Sequence, residues 1–582
     1  MPGTPIKVCV AMLLLLCATA LQARATLDFK AMQSGKGYRS SVALSAFAPD
    51  DKSMPATHQF EGRLQLSGEP DTRTLLADTD FLAFTKADYR KARTIPQDFD
   101  YAFVQDRDTL IPVRRGPIPG SHAWWEFILE PGKVWDEPGD QGYTRAAIPF
   151  SLAQKNQNCT SNGVLMLLFN AQGALAHAAF QVSSETCRYL HMDMWGFVQA
   201  RYVPGAVANK AAIIAAYRTE LASRVPTRPL SALKADYPDI DLARLAIGDP
   251  AARTRYGLYV NGVDYASPCP TRHGDYPYCQ VLDVPSYSTA KTIVAGITAM
   301  RMQQRWPGVM QKQVSAYAPT SACAATRWRD VSFMNLLDMA SGNYGSADYM
   351  ADEDSPKVAA LLRPLTNAGK LRAACSSWPR SAPPGSRWVY HTSDTYLLGV
   401  VLNRYLRSLA GHADQDVFAN VLLPDVLAPL QLSPTARVSR RTLDADSQVF
   451  FGYGLFLHAD DFIKLARFLD IDRGRIHGRQ ILDPDMLDAA MQRVPGQRGL
   501  PVASLEKTFR YQHSVWARNV QALLSCKTAV WVPFMSGYGG ITVAMFPNGV
   551  IWYSVSDDGK IASFDFANPA REINKIRSYC PG

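Results

Sequence analysis

Short apolar runs separated by polar turn residues dominate the first third of the chain. Two of them, 163–169 (GVLMLLF) and 178–182 (AAFQV), are bounded by Asn, Gly and Ser, which is typical of strands. No long segment with helical periodicity occurs before 209–224 (NKAAIIAAYRTELASR). The pattern therefore predicts a mostly β N-terminal domain over residues 26–205, followed by a helix.

Beyond residue 205, strand-like and helix-like patterns are mixed. The β-rich run 256–260 precedes Asn261-Gly262, a dipeptide typical of hairpin turns. Apolar faces recur at helical spacing further along, and a second hairpin pattern lies near the C-terminus. These segments are the helices 289–304, 461–469 and 484–491 and the hairpin strands 540–546 and 550–554. We expect an α/β (α+β) domain over residues 206–582.

The first 25 residues have the pattern of a secretory signal peptide. Lys7 precedes an apolar stretch, 8–17, that is too short to span a bilayer, and small residues follow at A-x-A spacing. The alternative is a membrane anchor. We expect removal of residues 1–25 and a mature chain without a membrane span, which is exported to the periplasm of a bacterium or secreted.

Cysteine usage is consistent with export. Of ten cysteines, Cys9 and Cys17 lie in the predicted signal peptide, and the remaining even number suits disulfides in an oxidising compartment. Roughly a hundred pairings are possible, and the simplest joins neighbours in the sequence. The predicted pairs are Cys159–Cys187, Cys269–Cys279, Cys323–Cys375 and Cys526–Cys580. No C-x-x-C and no pair of histidines at ligand spacing occurs, so we expect neither a metal nor another cofactor.

Composition and charge exclude several classes of protein. Apolar residues make up 47% of the chain and charged residues 19%, which is ordinary globular composition and excludes a disordered or collagen-like chain. The formal net charge is +9, but no run of Lys and Arg is longer than two, so we expect no nucleic-acid partner. The sequence leaves the oligomeric state open.

One motif is a candidate for catalysis. The chain has no G-x-S-x-G, H-E-x-x-H or Walker A motif, but S-x-x-K begins at Ser231, Ser288 and Ser504. Only Ser288 follows an extended segment, 281–287, and opens a predicted helix, where Lys291 lies on the same face. A buried lysine of lowered pKa can act there as the base for the serine. The alternative is a helix-capping serine beside a surface lysine.

Further segments occur in the order found in one known family, the penicillin-recognising serine hydrolases. Residues 285–292 (PSYSTAKT) resemble the family's nucleophile segment, and residues 331–342 (VSFMNLLDMASG) resemble its L-L-x-H-T-S-G segment. Residues 384–399 (PGSRWVYHTSDTYLLG) resemble the segment with the Y-x-N/S triplet. Residues 482–491 resemble the family's late helix, and residues 537–547 (GYGGITVAMFP) stand where its K-T-G strand is expected. Class C β-lactamases, D-Ala-D-Ala carboxypeptidases and esterases belong to this family. The resemblance covers roughly residues 255–560 and implies a β-lactamase/transpeptidase-like hydrolase domain after the extra N-terminal domain.

The resemblance implies a role for each matching residue. Ser288 is the expected nucleophile, Lys291 its general base, and Tyr390 the phenol that passes the proton to the leaving group, with Lys291 lowering the pKa of Tyr390. The backbone N–H groups of Ser288 and Ile541 are the expected oxyanion hole. Thr392 stands at the third position of the Y-x-N/S triplet, where it is expected to bind Lys291 or the substrate.

The last motif departs from the family pattern. Tyr538, Gly539 and Gly540 stand in place of K-T-G as the expected substrate-binding residues, so the cation that holds substrate carboxylates in the family is missing. We therefore expect a small or oligomeric acyl substrate with an ester bond, or with a neutral or differently charged amide bond. The alternatives are a D-Ala carboxypeptidase or β-lactamase, with Arg387 replacing the lost cation, and a non-catalytic binding protein on the same scaffold.

Overall fold

The computed structural model describes most of the chain. The described residues are 27–36, 40–77, 92–187, 189–318, 320–503, 505, 508–558 and 564–580. The predicted signal peptide, residues 1–25, and Ser504 lie outside them. In the described part of the chain, every helix is too short or too polar to span a bilayer.

Nine antiparallel strands form the N-terminal part of the chain. They are β1 Glu61–Ala77, β2 Asp100–Asp106, β3 Thr109–Pro112, β4 Trp125–Leu129, β5 Gly132–Asp136, β6 Thr144–Gln154, β7 Thr160–Asn170, β8 Gly173–Glu185 and β9 His191–Pro204. Their order is β4-β6-β5-β3-β2-β1-β9-β8-β7, and β6 also pairs with β7, so that the sheet closes on itself. The two runs predicted as strands lie in β7 and β8, and the prediction of a mostly β N-terminal region is confirmed.

Aromatic rings fill the interior of this closed sheet. Phe60 stacks on Tyr202 with ring centroids 4.0 Å apart, and Phe99 meets Phe127 edge to face at 5.3 Å. Phe127 and Tyr202 belong to β4 and β9, and Phe60 and Phe99 directly precede β1 and β2; all four rings are buried. Because replacing a buried Phe by Ala typically costs about 3–5 kcal/mol, the rings account for much of the stability of the closed sheet.

A second sheet of nine strands lies at the centre of the C-terminal part. The strands beyond β9 are β10 Thr227–Pro229, β11 Arg253–Val260, β12 Val263–Ala266, β13 Pro270–Thr271, β14 Gly274–Asp275, β15 Val284–Pro285, β16 Phe456–Leu457, β17 Arg475–Ile476, β18 Arg479–Gln480, β19 Leu500–Pro501, β20 Phe509–Gln512, β21 Val515–Asn519, β22 Trp531–Gly537, β23 Ile541–Met545 and β24 Ile551–Ser556. The sheet order is β10-β12-β11-β24-β23-β22-β21-β20-β19. The two predicted hairpins are confirmed as β11–β12 and β23–β24.

Helices alternate with these strands, as expected for an α/β (α+β) fold, which is confirmed. The helices are Phe29–Ser34, Lys210–Ser223, Leu233–Asp236, Ile297–Arg305, Phe333–Leu337, Ala359–Leu362, Asn367–Ser376, Thr392–Ser408, Ala459–Asp470, Pro484–Ala490, Gln521–Leu524 and Ala567–Ile576, with π-helices Lys291–Gly296 and Phe418–Leu427. The helix predicted over 289–304 thus begins with a widened π segment. The preceding segment 281–287, predicted to be extended, contains only the two-residue strand β15, because a 3₁₀ turn occupies its start.

Four disulfides join the cysteines as predicted. The bonded pairs are Cys159–Cys187, Cys269–Cys279, Cys323–Cys375 and Cys526–Cys580, with Cα–Cα distances of 4.8, 5.7, 5.0 and 5.2 Å. Such bonds restrict the unfolded chain and typically stabilise a fold by about 2–4 kcal/mol each. The first of them links the β6–β7 turn to the β8–β9 turn, at the end of the closed sheet that faces the C-terminal part of the chain.

The two parts of the chain meet across a buried polar interface. Arg440 forms a salt bridge with Glu126 of β4, and Ser151 of β6 donates to Asp283 Oδ2 at 2.7 Å. The predicted boundary between residues 205 and 206 falls between β9 and the next helix, and the domain boundaries stay predictions. The interface matters for function because Asp283 lies only a few residues before the predicted nucleophile.

Candidate active site

Ser288 lies in a tight turn that leads into a helix. The preceding residue, Tyr287, has φ +40°, in the left-handed region that side-chain-bearing residues rarely adopt. Ser288 itself is partly exposed, so its hydroxyl can be reached from solvent. Among the described residues, nothing accepts a hydrogen bond from the Ser288 backbone N–H. A free N–H at a helix start is suited to stabilise negative charge on a substrate oxygen.

Lys291 is buried directly beside Ser288. Its Nζ lies 3.0 Å from Ser288 Oγ, 3.0 Å from Thr392 Oγ1 and 3.4 Å from the carbonyl oxygen of Gly452. Burial lowers the pKa of Lys291 to about 8, although Glu353 acts in the opposite direction. A lysine with this pKa is partly neutral near physiological pH and can accept a proton. The alternative of a surface lysine is wrong, since the side chain is only 2% exposed.

Tyr390 approaches Ser288 from the other side. Its hydroxyl lies 2.7 Å from Ser288 Oγ, and Lys291 Nζ lies 4.8 Å from the centre of its ring. The pKa of Tyr390 is well above its ordinary value, because burial and the Glu353 carboxylate both favour the neutral phenol. The expectation that Lys291 lowers this pKa stays a prediction, since a net rise caused by burial and a carboxylate is compatible with a smaller opposite effect of a nearby amine.

Glu353, which the sequence did not single out, completes the polar chain. Thr392 begins the helix Thr392–Ser408, and its backbone N–H donates to Glu353 Oε2 at 3.0 Å. The Thr392 hydroxyl also donates to the Glu353 carboxylate. Thr392 thus links Lys291 to a carboxylate at the start of a helix, where a negative charge is favourable. No motif in the sequence marks Glu353, since it belongs to a loop far from the other site residues along the chain.

The loop that carries Glu353 is held by a buried histidine. His391 Nε2 lies 2.8 Å from Asp352 Oδ2, and the same carboxylate accepts from the N–H groups of Gly345 and Ser346 at 2.7 and 3.0 Å. His391 therefore points away from Ser288 and fixes the residue next to Glu353.

Tyr538, Gly539 and Gly540 form a hairpin turn and not a continuous strand. The turn joins β22 to β23, whose end residues Gly537 and Ile541 pair with each other. A Cβ added to Gly537 would lie 2.9 Å from the Ser286 carbonyl oxygen, so this end of the hairpin packs against the Ser288 segment. Tyr538 is 47% exposed, and its ring meets Tyr287 edge to face at 5.8 Å. The role of the Ile541 N–H in the oxyanion hole stays a prediction.

A group of aromatic rings lies behind Tyr390. Trp516 stacks on Tyr390 with ring centroids 6.0 Å apart, and Trp388 and Tyr511 pack on Trp516 at 5.2 and 5.1 Å. Packing on several sides leaves Tyr390 one position for its hydroxyl. This environment also explains why the phenol is desolvated.

One other group of charged residues has the composition of a metal site. In the described chain, the ligand atoms of Glu130, Asp283 and His458 lie within 4.8 Å of one another. Arg115 already forms a salt bridge with Glu130. Burial lowers the pKa of His458, but the facing carboxylates, including Asp461, outweigh it and raise the pKa to about 10. Arg115 and His458 are thus the cations that face these buried carboxylates, and we interpret the cluster as a buried ion network between the two parts of the chain.

A His458→Gln variant is expected to be less stable by about 3–5 kcal/mol at neutral pH, because two buried carboxylates lose their cation. The His458 contribution is complete below the unfolded pKa of about 6.5 and is lost as the pH rises through about 10. Thermal unfolding of both proteins across this range is the measurement, and the difference in Tm should shrink as the pH rises. A constant difference would contradict a cationic His458.

A family model matches much of the C-terminal part of the chain. Residues 284–554 match the family model described as Beta-lactamase. No curated relative matches the chain in sequence.

Solved structures of several hydrolases match part of this chain. A D-stereospecific amidohydrolase from Streptomyces sp. is 14% identical over 58% of this chain and 96% of its own, with a TM-score of 0.39. EstCE1, a hydrolase with promiscuous acyltransferase activity, is 17% identical over 62% of this chain and 99% of its own, with a TM-score of 0.41. A class C beta-lactamase is 14% identical over 61% and 94%, with a TM-score of 0.38.

Proposed function

We propose that this protein, which contains a beta-lactamase-family domain at residues 284–554, is an exported serine hydrolase that cleaves an ester or amide through an acyl-enzyme on Ser288. The observation that carries the proposal is the contact of the Ser288 hydroxyl with both Lys291 and Tyr390, at 3.0 and 2.7 Å. The family's fold is that of acyl-transfer hydrolases. Four disulfides favour the export part of the proposal, because such bonds persist in oxidising compartments.

The hydrogen bonds of the site form one chain when Lys291 is neutral. The Tyr390 phenol donates to Ser288 Oγ, and the Ser288 hydroxyl donates to the free electron pair of Lys291 Nζ. The two N–H groups of Lys291 then donate to Thr392 Oγ1 and to the Gly452 carbonyl. Each donor has an acceptor in this arrangement, so neither Ser288 nor Tyr390 needs to ionise before the reaction begins.

Acylation follows from this chain. Ser288 Oγ attacks the substrate carbonyl carbon while its proton moves to Lys291 Nζ, and the Ser288 N–H stabilises the negative oxygen of the tetrahedral intermediate. As the intermediate collapses, the leaving group takes the Tyr390 proton, and Tyr390 is reprotonated from Lys291. Water then repeats the sequence on the acyl-enzyme and releases the acid.

The substrate is an ester or an amide that does not depend on a carboxylate-binding cation. The turn at Tyr538, Gly539 and Gly540 offers an aromatic ring and backbone groups in place of a lysine. Glu353 adds a negative charge beside Thr392, which disfavours an anionic group there. A D-Ala carboxypeptidase or β-lactamase would need Arg387, which is exposed, to supply that cation.

Covalent labelling tests the proposal. The mature protein is incubated with a fluorophosphonate and with a panel of acyl esters, and intact mass is measured for the wild type, Ser288→Ala and Ser231→Ala. Ser231 begins the same S-x-x-K spacing on an exposed surface and serves as the matched control. We expect one adduct on Ser288, absent only from Ser288→Ala, and loss of ester turnover in that variant alone.

The other outcomes separate the alternatives. Covalent labelling of Ser288 by penicillin, with turnover of D-Ala-D-Ala peptides, would favour the carboxypeptidase or β-lactamase. Absence of any adduct on a folded wild-type protein would favour the non-catalytic binding protein. Secretion of the mature chain, beginning near residue 26 in the culture medium or periplasm, tests the export part independently.

Glu353 is expected to set the pH at which Lys291 becomes a base. Its negative charge raises the pKa of Lys291, so a Glu353→Gln variant should gain activity at lower pH than the wild type. We expect the acidic limb of the kcat/KM profile to move down by about one pH unit, as is typical for loss of a nearby opposite charge. An Asp354→Asn variant, on the next residue, is the control for a general change in loop charge, and an equal shift there would contradict a specific role of Glu353.

A further inference from the structure

The N-terminal domain contacts the nucleophile segment through asparagine side chains. Asn158 lies in the turn between β6 and β7, next to the disulfide of Cys159, and is 2% exposed. Its Oδ1 accepts from the Tyr287 N–H at 2.8 Å, the Ser286 hydroxyl at 3.0 Å and the Gly454 N–H at 2.9 Å.

The amide of the same side chain completes the contact. Asn158 Nδ2 donates to the Leu455 carbonyl oxygen at 2.8 Å, and the Leu455 carbonyl also accepts from the Ser286 N–H at 2.9 Å. Asn158 therefore joins the residues before Ser288 to the residues after Gly452, whose carbonyl contacts Lys291. One buried side chain connects the segments of the nucleophile and of its base.

Two more residues of the N-terminal domain, Asn162 and Thr186, hold the same segment. The side-chain amide of Asn162 in β7 accepts from the Asp283 N–H and donates to the Asp283 carbonyl, both at 2.9 Å. It thus pairs with both backbone groups of Asp283, as a neighbouring strand would. The Tyr287 hydroxyl donates to the Thr186 carbonyl oxygen at 3.3 Å. The strained residue Tyr287, with φ +40°, is thus held by its N–H and by its hydroxyl, and both acceptors belong to the N-terminal domain.

We infer that the N-terminal domain is part of the catalytic apparatus, with Asn158 as the residue that positions Ser288. Backbone in a disfavoured conformation persists where its surroundings over-determine it. Without Asn158, the turn at Tyr287 relaxes and Ser288 Oγ leaves the short contacts with Lys291 and Tyr390. Acylation then slows, while substrate binding changes little. This inference rests on the proposed function for its kinetic part and on geometry alone for its structural part.

The test compares Asn158→Ala, Asn158→Asp and the matched control Gln157→Ala. Gln157, the preceding residue, donates across the same interface to the Leu362 carbonyl at 3.0 Å but does not contact the nucleophile segment. Two measurements are made on the full-length mature protein. The first is the reactivity of Ser288, as the rate of fluorophosphonate labelling and as kcat and KM for an acyl ester, and the second is hydrogen exchange of the amides of Tyr287 and Gly454.

We expect Asn158→Ala to label about 10- to 100-fold more slowly than the wild type, as a small misplacement of a nucleophile does, with the loss in kcat and not in KM. Its Tyr287 and Gly454 amides should exchange roughly 2- to 10-fold faster. Asn158→Asp keeps the acceptor oxygen and the side-chain volume, so it should fold and give intermediate values. Gln157→Ala should match the wild type in both measurements.

Equal exchange of the two amides in Asn158→Ala and Gln157→Ala would overturn the inference, and so would labelling of both at the same rate. If the wild type itself is not labelled, the proposed hydrolase function fails, but the exchange rates still decide whether Asn158 positions the turn. Should Asn158→Ala not fold, Asn158→Asp decides the question in the same way, because wild-type behaviour in both measurements would contradict a positioning role.

Discussion

A Lys291→Met variant is expected to lower kcat/KM for acyl esters by about 10²–10⁴-fold, the usual cost of removing a general base. Lys291 Nζ is the only amine within hydrogen-bonding distance of Ser288 Oγ among the described residues, and methionine keeps the length and apolar character of the side chain. A serine hydroxyl without a base is a weak nucleophile at neutral pH. The loss should therefore fall on acylation and leave substrate binding nearly unchanged.

The pH dependence makes this prediction specific. Because burial lowers the pKa of Lys291 to about 8, kcat/KM of the wild type should rise as the pH increases through about 8 and the amine loses its proton. In Lys291→Met this rise should be absent. A residual rise of the same midpoint would mean that another group is the base.

Lys370 provides the control for losing a buried lysine. It is fully buried, burial lowers its pKa to about 7, and its Nζ donates to the carbonyls of Leu361 and Leu362 and to the Tyr453 hydroxyl. Lys370→Met removes a buried lysine with a similarly lowered pKa but no contact to Ser288. Its folded fraction should keep the wild-type activity and pH profile, and loss of both would show that lysine burial as such, and not contact with the serine, determines the effect.

Local patterns were sufficient for a large part of the fold. The strands β7 and β8 and the hairpins β11–β12 and β23–β24 all depend on residues close in sequence. The cysteine pairs, whose members lie 10 to 54 residues apart, were predicted from their order along the chain. The same holds for Ser288 and Lys291, which share a helix face and therefore had to lie close together. Tyr390 was identified only through its motif, because no local rule relates it to residues more than a hundred positions earlier.

The features that could not be predicted from the sequence depend on long-range contacts. Glu353 and Asn158 are single polar residues in loops, and their partners come from distant segments, so neither carries a pattern. The raised pKa of Tyr390 likewise depends on burial by Trp388 and Trp516, and this burial could not be predicted from the charged residues of the motif. The strand predicted over 540–546 begins one residue later, at Ile541, because Gly540 belongs to the turn and has φ +114°, a conformation that glycine adopts readily.

A Tyr390→Phe variant is expected to lower kcat/KM by about 10²–10⁴-fold for substrates whose leaving group needs a proton. The phenol lies 2.7 Å from Ser288 Oγ, in the position from which a donor reaches the leaving group on the same carbonyl carbon. Because its pKa is well above the ordinary value, the phenol is neutral throughout the working range and carries the proton that an alkoxide or amine requires.

The leaving group distinguishes this role from a structural one. A p-nitrophenolate ion leaves without a proton, so the loss of kcat/KM in Tyr390→Phe should be much smaller for p-nitrophenyl esters than for alkyl esters or amides of the same acid. Tyr511→Phe removes a hydroxyl from the same aromatic group without touching Ser288, and it should not change the ratio between the two kinds of substrate. If Tyr390→Phe reduces both rates equally, Tyr390 orients Ser288 but does not donate the proton, and Lys291 must return the proton to the leaving group itself.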